Sequence, residues 1–308
     1  MQAEARIYIF KKYKTGIGLL RKSRFWRNFA DVEQDTKYRL GVALSGGGAR
    51  GIAHAGALAA IEEAGLHIDV IAGVSAGSVI AVLYAAGVTP ATMLNVFREM
   101  SFSNMVEFKL GGGGLFKMEP FKNAIMKVIA PAKNIEDLKI PVYIGATDLD
   151  GGESVYFTEG PIGERMMASC SIPVVFKPVR IGGVDYVDGG VLRNLPSRVL
   201  RPVTEKLIGM NVSPMSPYQR GKNSMLEVAL RTYSLMARHN VGEDQSICDL
   251  AVETRDISAY GVFNLKDIEK VYTSGYMNMR AALRHAGWWN PGGDEAPRVY
   301  PEPDDTLS

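Results

Sequence analysis

Cysteine is scarce: Cys170 and Cys248 are the only two in 308 residues, far apart and outside any C-x-x-C spacing. That excludes a disulfide framework and a thiolate metal site, and it suits free thiols in a reducing compartment, so a cytoplasmic location is expected. Histidine is nearly as rare. His54, His67, His239 and His285 form no paired arrangement, and no metal, structural or catalytic, is expected. Long apolar runs are missing as well, none approaching the ~18 residues that a membrane span needs. Residues 1–30 show neither the apolar core nor the small-residue cleavage site of a secretory signal. Internal repeats and nucleic-acid-binding modules are absent, and a net charge of only +2 gives nucleic acid little to hold.

What is present is the composition of a globular protein, 46% apolar and 22% charged, in a chain long enough for one large α/β domain with a substantial core. Four segments are expected: a basic arm over 1–38, a catalytic core over 39–205, an α/β completion of the same domain over 206–289, and a polar tail over 290–308. Within residues 1–30, Arg6, Lys11, Lys12, Lys14, Arg21, Lys22, Arg24 and Arg27 oppose only Glu4, and Ile7, Phe10, Leu19, Phe25 and Trp26 lie between them. Two readings of it stand. One is peripheral contact with anionic membrane, basic groups on the head groups and apolar ones in the interface. The other is a solvated or domain-covering segment. Oligomeric state leaves no signal.

After residue 38 short apolar runs alternate with helical stretches, the pattern of parallel strands joined by crossovers. Strands are expected at 39–44, 70–73, 140–147, 153–157, 179–181, 184–187 and 206–212. Helices are expected at 51–64, 78–86, 225–238 and 265–285. Residues 89–138 form an insertion with a run of glycines at 111–114, methionines and phenylalanines, and a helical stretch from Pro120. A lid over an apolar acyl pocket is one reading of it and an inert surface loop the other.

Ser75 stands at the centre of Gly73-Val74-Ser75-Ala76-Gly77, between an expected strand and an expected helix, as a nucleophile on a sharp turn does. Gly46-Gly47-Gly48-Ala49-Arg50-Gly51 follows the preceding strand and opens a helix, which aims backbone N–H groups at a site for negative charge. Gly46, Gly48 and Gly51 also satisfy the dinucleotide fingerprint. Its acidic partner belongs at the end of the second strand, however, and Asp69 precedes that strand. An oxyanion hole beside Ser75 explains the same glycines. His239 and His285 sit in polar helical stretches and His54 has no orienting acid, so no histidine is the obvious base. Asp188, at a strand end before Gly189 and Gly190, is the better one. Arg50 reads as a brace for the glycine loop through backbone carbonyls, with phosphate steering as the other option. Asp148 and Asp150 read as a strand-end turn.

These three glycine-framed sites make the sequence similar to the patatin-like phospholipases: Gly46 to Gly51 as oxyanion motif, Gly73 to Gly77 as nucleophile elbow, and Asp188-Gly189-Gly190 as the acid motif. Ala146-Thr147-Asp148-Leu149 and Ser169-Cys170-Ser171-Ile172-Pro173 resemble further family strings, and the likeness covers roughly residues 40–203. The resemblance implies a three-layer α/β/α fold around a mostly parallel sheet, and a Ser75–Asp188 dyad that cleaves a lipid ester through an acyl-enzyme with no cofactor. Ser75 serves equally well in a lipid acyltransferase. A lipid-binding regulatory protein with a vestigial site is the reading from another class.

Overall fold

Residues 40–44 are an unbroken apolar run, and such a strand has to be covered on both faces. In the computed structural model, which describes residues 38–99, 107–108, 116–215, 224–262 and 265–291, they are the fully buried end of β1 (Tyr38–Leu44). β1 lies at the middle of a parallel group. β2 (Val70–Val74) flanks one edge and β9 (Thr204–Asn211) the other, with β5 (Val142–Asp148) beyond β2 and β10 (Leu250–Glu253) beyond β9. Three antiparallel strands complete the sheet at the β5 end: β6 (Glu153–Phe157), β7 (Val179–Ile181) and β8 (Val184–Asp188). A separate two-stranded ribbon pairs β3 (Glu107–Phe108) with β4 (Phe116–Lys117).

Alternation along the strands builds three layers. Leu40, Val42, Leu44, Ile71, Ile144, Ile208 and Met210 face the larger core. It is closed by α1 (Ile52–Glu63), α2 (Ala76–Ala86), α3 (Pro90–Glu99), α4 (Glu119–Val128), α5 (Ile162–Cys170) and α9 (Ile268–His285). Ala43, Val70, Ala72, Leu207 and Ala251 face a smaller cluster under α6 (Ser197–Leu200). Cys248, next to α8 (Val241–Ser246), joins that cluster. The remaining helix, α7 (Met225–His239), packs across the turn that follows β8. The result is the expected α/β/α architecture.

The register of β5 fixes where functional groups meet. β6 occupies one of its edges from Ile144 to Asp148, so β2 and β8 have to share the other. β2 pairs with Val142 to Gly145 and ends with Val74 opposite Gly145. β8 runs the opposite way along Asp148 to Ala146 and ends with Asp188 opposite Ala146. The two strands therefore stop head to head, and the residues at their tips, Ser75 and Asp188, become neighbours.

Several elements differ from the sequence expectation. α3 and α5 are short amphipathic helices inside stretches to which the sequence reading assigns no helix, and β10, four residues long, gives no periodicity to detect. The basic arm up to residue 37, the glycine run at 111–114 and all but the start of the 290–308 tail lie outside the described residues, and Tyr38, expected to end the arm, opens β1. Among the described residues no helix is long and apolar enough to cross a membrane, and none of the groupings of metal-ligand side chains could hold an ion.

α1 and α9 cross with their backbones in contact, because a Cβ at Gly275 would overlap the Ala53 carbonyl and one at Gly56 would overlap the Tyr272 carbonyl. Gly275→Ala is expected to cost about 1–3 kcal/mol of stability by overpacking. Urea denaturation measures it, and an unchanged midpoint would mean that the two helices separate without penalty.

Candidate active site

Ser75 has φ 52° and ψ −126°, backbone that a non-glycine residue adopts at a cost of about 1–3 kcal/mol. Its neighbours hold it there. The Ser75 N–H donates to Ser169 Oγ at 2.8 Å, and that hydroxyl donates to the Gly145 carbonyl at 2.6 Å, tying the turn to β5. The Ser75 carbonyl accepts from the Ser78 N–H at 2.9 Å and the Ser78 hydroxyl at 2.6 Å. Gly73 and Gly77 are required by close approach, since a Cβ on either would overlap a carbonyl, that of Gly77 for the first and of Leu44 for the second. Ser75 is 5% exposed, at the floor of a pocket.

Asp188 is completely buried. Its N–H donates to the Ser171 carbonyl at 3.0 Å and its carbonyl accepts from Thr147 Oγ1 at 3.1 Å, so the two further family-like strings anchor this backbone. Oδ1 accepts from the Gly190 N–H at 2.8 Å. Burial pushes the carboxyl from its ordinary 3.8 up to about 6, against hydrogen bonding from Ser75, Gly190 and Tyr233, which favours the ionised form. Oδ2 has no fully formed hydrogen bond among the described residues. The Ser75 and Tyr233 hydroxyls thus approach the carboxylate loosely, as nucleophile and base often do before substrate tightens them.

The glycine loop lies against the elbow, where a Cβ at Gly51 would meet Ala76 and one at Gly46 would stand 3.1 Å from Ser75 Cβ. Three of its amides are already used: Gly46 N–H donates to the Asn194 carbonyl at 3.2 Å, Ala49 N–H to the Val262 carbonyl at 2.7 Å, and Arg50 N–H to the Gly47 carbonyl at 3.3 Å. The N–H groups of Gly47 and Gly48 show no backbone acceptor among the described residues, and Gly51 lies within the short helical turn Gly48–Gly51 that leads into α1. Arg50 braces the loop: its guanidinium donates to the carbonyls of Tyr260 at 2.7 Å, Pro214 at 3.1 Å and Ser258 at 3.1 Å. His54 sits beneath, fully buried, with Nε2 donating to the Ser45 carbonyl at 2.8 Å, and burial lowers its pKa to about 4, so it is neutral and structural.

An apolar pocket of about 760 Å³, including its open mouth, leads away from Ser75. Ile80 and Val79 of α2, Phe97 of α3, and Met118 and Phe121 at the start of α4 line it, with Ile172 and Phe176 opposite. Part of the 89–138 insertion is therefore pocket wall.

Other candidates fall elsewhere. Asp69 accepts the Leu40 N–H at 2.8 Å just before β2, at the opposite end of the parallel strands from the glycine loop. Asp148 Oδ1 accepts from the Asp150 and Gly151 N–H groups at 2.8 Å each, an ordinary strand-end turn. His239 and His285 are exposed at the ends of α7 and α9, and both cysteines are buried free thiols. Sequence reading missed Tyr233, whose hydroxyl reaches Asp188 from α7, and Asn194, whose side chain lies beside Gly46 and Gly190. α7 is held over the site by the pairing of Arg238 with Glu253 and by Asn240, which donates to the Leu192 carbonyl at 2.8 Å.

The patatin-like phospholipase profile matches residues 42–201, and the chain belongs to that family. An uncharacterised NTE family protein of Mycobacterium tuberculosis is 33% identical over 191 residues, 60% of this chain and 53% of that one. Lysophospholipase nte1 of Aspergillus fumigatus is 31% identical over 168 residues, 51% of this chain and 11% of that one. The chain spans about half the length of the mycobacterial relative and a small part of the fungal one. Among solved structures, VipD from Legionella pneumophila aligns with a TM-score of 0.49 at 14% identity, covering 81% of this chain and 67% of that one. ExoU of Pseudomonas aeruginosa aligns at 0.41 and 15%, covering 82% and 53%. Family membership rests on the sequence match.

The raised carboxyl has a signed consequence. A folded-state pKa above the unfolded one contributes stability that is present below pH 3.8 and is lost as pH rises through about 6, on the order of 3 kcal/mol for a shift of this size. Asp188→Asn is expected to gain stability over the wild type at pH 8 and not at pH 4, as thermal denaturation at the two values would show. Equal melting differences at both would mean that the carboxylate is not strained by burial.

Proposed function

We propose that the chain is a lipid acyl hydrolase, a phospholipase- or lysophospholipase-like serine esterase, with Ser75 as nucleophile and Asp188 as its base. The observation that carries this reading is the head-to-head stop of β2 and β8 on β5, which sets the Ser75 hydroxyl beside a buried carboxyl at the floor of an apolar pocket. Ser75 Oγ attacks the ester carbonyl carbon while its proton passes to Asp188. The alcohol leaves with that proton, and water then hydrolyses the acyl-enzyme. A carboxylate poised near pH 6 is a better proton acceptor than a free aspartate, at pKa ~3.9.

Within the loop from Gly46 to Gly51, the amides of Gly47 and Gly48 are the proposed oxyanion donors, since those of Gly46, Ala49 and Arg50 are taken by other carbonyls. The Ala76 N–H, at the start of α2 and on the pocket wall, is a third donor by position. The apolar walls suit a fatty-acyl chain, and the name of the fungal relative favours lysophospholipids among the substrates. The mechanism calls for no cofactor. Residues 39–289 are proposed to act as one catalytic unit in the cytoplasm, with the basic arm as its contact with the membrane surface.

A panel of phospholipid, lysophospholipid and acylglycerol substrates tests the reading. Fatty-acid release is expected to fall on the order of a thousandfold or more in Ser75→Ala, and nearly as far in Asp188→Asn. Full activity in Ser75→Ala, or loss confined to His239→Ala or His285→Ala, would contradict it. The kcat/KM profile is expected to fall off below about pH 6. Tyr233→Phe removes a donor to the carboxylate, so this acid limb should move to higher pH while activity at pH 9 stays near wild type.

A further inference from the structure

Three buried polar atoms beside the elbow have no partner among the described residues: Asp188 Oδ2 and both carboxamide atoms of Asn194. Asn194 is 1% exposed and stands in the loop between the Gly189–Val191 turn and α6. Its backbone carbonyl takes the Gly46 N–H, so its position is tied to the glycine loop. Its side chain is aimed at the chemistry. Oδ1 lies 2.5 Å from where a Gly46 Cβ would be, a point 3.1 Å from Ser75 Cβ. It lies 3.0 Å from where a Gly190 Cβ would be, a point 3.2 Å from Asp188 Oδ1. The absence of side chains at Gly46 and Gly190 leaves room for the carboxamide beside both nucleophile and base.

Burying a carboxamide with neither its donor nor its acceptor used is unfavourable, and such groups are found where a small polar molecule bridges them. Either end of an amide can face such a molecule. We infer that Asn194 and Asp188 together form the site for the water that hydrolyses the acyl-enzyme, so that Asn194 decides between hydrolysis of the acyl group and its transfer to an alcohol. This rests on the Ser75 acyl-enzyme reading. Asn194 holds the water by one hydrogen bond, and Oδ2 of Asp188 accepts another. The water oxygen attacks the acyl carbonyl carbon as one of its protons passes to Asp188. The bond from that carbon to Ser75 Oγ then breaks, Ser75 takes the proton back, and a free carboxylic acid leaves. Acylation makes no such demand, because Ser75 itself is the attacking group.

Stopped-flow hydrolysis of a p-nitrophenyl acyl ester separates the two steps, with intact-mass detection of the adduct, for the wild type, Asn194→Ala and Asn194→Leu. Fluorophosphonate labelling of Ser75 at wild-type rate verifies that each variant keeps a folded site. The expected result is acylation within about twofold of wild type and deacylation slowed about ten- to hundredfold. A burst and an acyl adduct on Ser75 then become visible, and added glycerol raises the share of glyceryl ester. Unchanged deacylation in both variants overturns the inference, and so does an equal loss in both steps, the mark of an oxyanion donor or a purely structural residue. If the wild type forms no adduct and releases no acid in a Ser75-dependent way, the acyl-enzyme reading falls and this inference with it.

Discussion

One edge of β5 is shared by two strands that run toward each other. Everything at the site depends on that arrangement. Had β8 paired one residue further along, the strict alternation of side chains would have turned Asp188 to the opposite face of the sheet. Instead Gly145 and Ala146 receive the tips of β2 and β8 in adjacent positions. The same stretch of β5 supplies the fixings: the Gly145 carbonyl holds Ser169, which holds the Ser75 amide, and Thr147 holds the Asp188 carbonyl. Strain at Ser75 is tolerable because it is over-determined by neighbours on three elements.

The proposed dyad has no histidine and would have to obtain basicity from its surroundings. Burial of Asp188 supplies it, raising the carboxyl to about 6, and the hydroxyls of Ser75 and Tyr233 keep the rise from going further. Tyr233 is itself held protonated, its pKa raised by burial and by the adjacent carboxylate, so it can only donate. Cys170 on the pocket wall is likewise kept as a thiol by burial and by Asp188, which leaves it a poor rival to the proposed nucleophile. On this proposal, stability is given up at neutral pH for a carboxylate ready to accept a proton.

Much of this is legible in the sequence, because glycine has few reasons to recur around one polar residue. Gly73 and Gly77 are demanded by carbonyls that crowd the elbow, and the strands before Gly46 and Ser75 are apolar runs that need cover on both faces. The strings around Thr147, Ser169 and Ser171 stand out in the sequence only as family likenesses, and in the fold they are the hydrogen bonds that fix Ser75 and Asp188. Which loop amides are already occupied is not legible. Ala49 gives its N–H to Val262, more than two hundred residues onward, and no local pattern announces that. Tyr233 looks like any aromatic on an amphipathic helix, and Asn194 like any loop asparagine; only the packing of α7 and the turn after β8 brings them to the carboxylate. The short elements α3, α5 and β10 escape sequence reading because their periodicity spans too few residues to rise above their surroundings.

The central claim is that the Ser75 hydroxyl is the nucleophile and the Asp188 carboxylate its proton acceptor. Reaction with a fluorophosphonate, followed by peptide mass spectrometry, addresses both groups without knowledge of the substrate. The account predicts a single adduct on the peptide containing Ser75, formed at a rate that rises with pH through about 6 and slowed at least a hundredfold in Asp188→Asn. An adduct on another residue, or labelling of Ser75 at an undiminished rate in Asp188→Asn, would contradict it.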